Sequence, residues 1–85
     1  MHVSPNRVET SEAIATIRKC ADEGVKILGL DGFVVVPEGF IASLDLLLDT
    51  SGRNFTVKEA AAQAEGFVTA NGRPDVLWEV WTELS

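Results

Sequence analysis

Apolar residues return at three- and four-residue intervals near the start of the chain, at Ala13, Ile14, Ile17, Cys20 and Ala21. That spacing draws one stripe along a helix. Thr10 or Ser11 ahead of it offers an N-cap oxygen, and Glu12 lies near the positive end of the helix dipole. Arg18 and Lys19 sit toward the other end, and Gly24 suits the left-handed residue that closes a helix. The pattern predicts a first helix from about Glu12 to Glu23.

From Val25 the pattern changes to bulky and β-branched apolar residues interrupted by glycine, which favours strand. Two readings compete. Asp31-Gly32 between apolar runs is a hairpin signal. Alternatively, Val25–Val36 is one long strand with a bulge at Gly32, and the chain turns at Pro37-Glu38-Gly39. A hairpin at Asp31 leaves two very short strands and demands a second reversal within a few residues, so the long strand is favoured. Phe40 to Asp49 then forms a second strand, with Leu44, Leu46 and Leu48 on one side and Asp45, Leu47 and Asp49 on the other. Its leucine content leaves helix as a rival.

Thr50 to Asn54 has the chemistry of a loop, and Thr56-Val57-Lys58-Glu59 reads as a capping box with Phe55 in the staple position. Ala60, Ala61, Ala64, Phe67 and Val68 make the buried stripe of a second helix, ended by Asn71-Gly72 and Arg73-Pro74. In the last segment Val76, Trp78, Val80, Thr82 and Leu84 alternate with Leu77, Glu79, Trp81 and Glu83, the period of a strand.

The element order is α-β-β-α-β. It predicts a two-layer α+β fold: a three-stranded antiparallel or mixed sheet of order 2-1-3 with both helices on one face. Residues 1–10 are expected as a flexible lead-in and residues 11–85 as a single domain. Leu28, Leu30, Val34 and Val36 are expected to face the helices with Leu44, Leu46, Leu48, Val76, Trp78 and Val80. Ile27, Gly29, Asp31 and Phe33 are left on the bare face beside Asp45, Leu47, Asp49, Leu77, Glu79, Trp81 and Glu83. A sheet face turned to water is normally more uniformly polar. Tryptophan is also enriched at interface hot spots. A plainer reading folds Trp81 against neighbours within its own chain.

Charge narrows the partners. Thirteen acids against seven bases give a net −6, which disfavours nucleic acid, since phosphate binding needs a basic surface. The same surface suits a basic protein or a cation, or simply aids solubility. Cys20 is the one cysteine, so no intramolecular disulfide framework exists. No apolar run approaches the roughly 20 residues of a membrane span, and the N-terminal residues lack the apolar centre of a secretory signal. A cytoplasmic location is expected.

The sequence carries no phosphate loop, CxxC, HExxH or nucleophile elbow. His2 is the single histidine, and Cys20 lies on the apolar stripe of the first helix. The one catalytic candidate is a cluster of Asp31, Asp45 and Glu79 across three adjacent strands, able to hold a divalent cation or act as an acid/base pair. No catalytic residue, cofactor or metal site is assigned.

The stretch ILGLDGFVVV, followed by LDLLLDTS and a capped alanine-rich helix, resembles small bacterial proteins of uncharacterised families, from about Ser11 to the C-terminus. That resemblance implies no activity. In scale and acidity the chain is also similar to toxin-immunity proteins, which block basic nucleases. The expected function is a non-enzymatic protein-interaction module acting through its open sheet face, as a homodimer or with another protein. Asp31, Phe33, Asp45, Leu47, Leu77, Glu79, Trp81 and Glu83 are its expected contacts. An immunity-like inhibitor of a basic protein and a hydrolytic carboxylate–metal site are the alternatives.

Overall fold

A computed structural model describes residues 6–52 and 54–83. The elements run α1 (Thr10–Glu23), β1 (Ile27–Val36), β2 (Gly39–Asp49), α2 (Val57–Asn71) and β3 (Val76–Thr82). The three strands form one antiparallel sheet of order β2-β1-β3, as the sequence pattern predicts.

Helix α1 begins earlier than its apolar stripe suggests. Glu9 is the N-cap and makes no side-chain capping bond. Thr10 and Ser11, the two expected caps, are both helical, and the Thr10 hydroxyl accepts a 3.2 Å hydrogen bond from the indole of Trp78. At the other end Gly24 takes φ 73°, and the Val25 N–H reaches back to the Cys20 carbonyl at 2.8 Å. This is the closure that glycine permits.

Helix α2 carries the capping box read from the sequence. The Thr56 hydroxyl accepts from the Glu59 N–H at 3.1 Å, and Glu59 accepts from the Thr56 N–H at 2.9 Å. The Thr56 backbone N–H, and after it the Thr56 hydroxyl, hold the Glu59 carboxyl below its usual range. A depressed native value stabilises above the unfolded pKa, and the benefit is lost as pH falls through the native one. Thr56→Ala is expected to cost about 1 kcal/mol. The loss should be read as a lower urea midpoint at unchanged slope, and Thr56→Ser should retain most of the stability.

The two helices run antiparallel, with Arg18 bonded to Glu65 and Thr10 beside Gly72. Ala13, Ala60, Ala61 and Ala64 keep them close. Their apolar stripes meet Leu30, Leu46, Val76, Trp78 and Val80 on one face of the sheet. Trp78 is completely buried and meets Phe67 edge-on, with ring centroids 6.0 Å apart.

Strand β1 is continuous through Asp31-Gly32, so the hairpin reading there fails and the turn lies between β1 and β2. Against β3 the register is unbroken from Gly29 opposite Trp81 to Val34 opposite Val76. Against β2 it shifts at the predicted place, but the additional residues belong to the other strand. Between the pairs Asp31–Leu47 and Phe33–Ala42, β1 contributes only Gly32 while β2 runs through Ser43, Leu44, Asp45 and Leu46.

Several expected placements change. Leu44, expected in the core, is 88% exposed. Val36 lies outside the core cluster, beside the turn. A second register shift, between Ile27 and Gly29, turns Ile27 from the bare face into the core and leaves Leu28, expected to face the helices, outside the core cluster beside Trp81.

The expected lead-in contains anchored residues. Val8 pairs with the outer edge of β3, accepting from the Trp78 N–H at 2.7 Å and donating to its carbonyl at 2.8 Å. The expected loop contains Thr50, which is completely buried; its hydroxyl donates to the Ile27 carbonyl at 2.7 Å. Among the described residues no helix is long and apolar enough to cross a membrane.

Candidate functional site

The helices leave one face of the sheet bare among the described residues, and strand alternation dictates what stands on it. Asp31 of β1 lies between Leu47 of β2 and Glu79 of β3. It is therefore a strand residue in the middle of the sheet. Its carboxylate accepts a 2.9 Å hydrogen bond from the Trp81 indole N–H. Both side chains are half-buried. Trp81 thus folds onto a neighbour of its own chain and still borders the open surface, where Leu28, Leu47 and Asp49 surround a shallow cavity with it.

Toward the turn, Phe33 stands opposite Leu77 and Ala42, and Phe40 stands opposite Val35. The guanidinium of Arg7 lies over both rings, 4.2 Å from the Phe33 centroid and 4.7 Å from that of Phe40. Its Nε donates to Glu79 at 3.0 Å. Glu79 is only 8% exposed, and Arg7 is the cation that matches its buried charge. Without a partner such a charge is costly.

Six of the eight expected contact residues share this face: Asp31, Phe33, Leu47, Leu77, Glu79 and Trp81. Glu83 lies just past the end of β3, where it is exposed and accepts from the Lys26 N–H at 3.2 Å. Asp45 is elsewhere. It borders a cleft with Val34, Ala70, Asn71 and Arg73 beside the end of α2. The additional residues of β2 break the alternation that would have aligned Asp45 with Asp31 and Glu79.

The carboxylate cluster suggested by the sequence therefore does not assemble. Asp31 is engaged by Trp81 and Glu79 by Arg7. Among the described residues no group of three His, Cys, Asp or Glu side chains could hold a metal ion. Asp49 is held below its ordinary carboxylate range by the hydroxyl and backbone N–H of Ser51. Burial, aided by the negative charge of Glu23, raises the Cys20 thiol and disfavours its thiolate.

Several residues of this surface escape the sequence reading. Arg7 has no signal, because it meets Glu79 across a separation of 72 residues. Phe40 and Val35 were legible: continuing the alternation from Ala42 and Phe33 places both on the bare face. Together with Leu44 and Leu47 they make its most exposed apolar part, on the β1–β2 side rather than around Trp81. Compared with known proteins, the chain matches no family model, no curated protein and no solved structure.

Proposed function

We propose that this chain is a non-enzymatic, cytoplasmic protein-interaction module that docks through the uncovered face of its sheet, with a second copy or with another protein. One observation carries the reading. Val35 is 42% exposed, Phe40 49%, Leu47 50% and Leu44 88%, and they border a face that both helices leave bare. Contiguous exposed apolar side chains rimmed by polar groups mark interaction surfaces. A chain of 85 residues also buries a modest share of its surface alone, so covering a further face adds stability.

Light scattering across a concentration series is the direct test. The mass of the wild-type protein should rise toward twice that of the chain. Leu47→Asp should weaken the association about tenfold or more, because it puts a charge in the contact. A wild-type protein that stays monomeric at every concentration removes self-association.

The alternative partner is a basic protein, a reading favoured by the net charge of −6 and the exposed Asp49 and Glu83 at the margin of the face. Its binding should weaken steeply with salt, because steering between exposed charges is screened.

A further inference from the structure

Arg7 shows which chemistry the turn-side half of the bare face accepts. Its guanidinium spans two aromatic rings, and its Nε meets a carboxylate that is nearly buried. Planar guanidinium is the cation that both stacks on rings and bonds a carboxylate. Lysine offers the charge without the plane. The rings stand on β1 and β2 and the carboxylate on β3, so the sheet itself preforms the site.

The occupant, unlike the site, stands outside the three strands. Beyond its own side chain, Arg7 is fixed through the two backbone bonds of Val8, and 38% of its side chain remains exposed. Cation–π contacts at exposed positions are individually weak. An arginine on a docking protein would gain the same contacts and could add burial of Val35, Leu44 and Leu47 nearby, which Arg7 leaves exposed.

We infer that Phe33, Phe40 and Glu79 form an arginine-recognition site, filled in cis by Arg7, which yields it to an arginine side chain of a docking protein. This rests on the interaction reading and specifies the chemistry of the partner. Arg7 then acts as a built-in competitor that sets how strong a partner must be.

The test is an NMR titration with N-acetyl-arginine methylamide. Arg7→Ala should bind the probe about tenfold more tightly than wild type, with shifts at Phe33, Phe40 and Glu79, because the internal competitor is gone. The lysine analogue should bind more weakly than the arginine probe, and Arg7→Ala/Glu79→Gln should lose the binding. If Arg7→Ala does not fold, Arg7→Gln takes its place, keeping part of the aliphatic stem over the rings. Identical curves for wild type and the Arg7 variant overturn the inference, as does equal binding of the lysine analogue. If the probe fails while Leu47→Asp still abolishes association, the arginine site alone is wrong.

Discussion

Replacing Trp78 by alanine should remove about 3–5 kcal/mol of folding stability, the range for emptying a large buried aromatic site. Trp78 is completely enclosed, meets Phe67 edge-on and donates its indole N–H to Thr10. The substitution leaves a void between sheet and helices, strips a contact from Phe67 and leaves the Thr10 hydroxyl without its donor. Small domains of this kind have about 5–15 kcal/mol in total, so the variant should lie near the limit of folding. Urea denaturation gives the measurement. Trp81→Ala is the comparison, because its indole is half-buried on the open face. Equal losses from the two tryptophans would mean that the core is not centred on Trp78.

Gly32→Ala should be nearly as instructive, with an expected loss of about 1–3 kcal/mol from overpacking. A Cβ at that position would stand 2.5 Å from the Cβ of Leu46 and 3.1 Å from the Trp78 ring. The Leu46 contact is at the root of its side chain, so a rotamer change cannot relieve it. Relief must come from the backbone of β2, where the additional residues lie. The double variant Gly32→Ala/Leu46→Gly, which removes the opposing Cβ, should therefore lose less than the sum of the single losses, the signature of two residues sharing one space. Because Leu44 and Leu47 flank Leu46 in this segment, Gly32→Ala should also disturb association through the bare face. Additive losses in the double variant would show that the two positions do not compete for the same volume.

The difference between Gly32 and Asp31 shows what could be read from the sequence. The β-branched run on both sides of Asp31-Gly32 and the turn chemistry of Pro37 to Gly39 identified one long strand against the stronger local hairpin signal. Period-two alternation then separated Trp78 from Trp81 and placed Asp31 and Glu79 together. Helix α2 was legible because its capping box is local. Alternation fails wherever the register shifts. Ile27, Leu44 and Asp45 were misplaced for that reason, each lying at or beside a shift. Which strand carries the additional residues depends on the close approach of Leu46 to Gly32, a contact between strands that neither local pattern encodes. Arg7 escaped for a similar reason, since its partners are set by where Val8 lands on β3.

The backbone pairing of Val8 also bears on how copies of this chain could stack. Endless growth of a sheet joins the free side of β2 in one molecule to the outer side of β3 in the next. Val8 already takes both the N–H and the carbonyl of Trp78 on that outer side, so the rung needed at its middle is occupied. The irregular middle of β2 spoils the matching ladder. The chain thereby carries a brake on fibre formation, and closed pairs remain the simpler assembly.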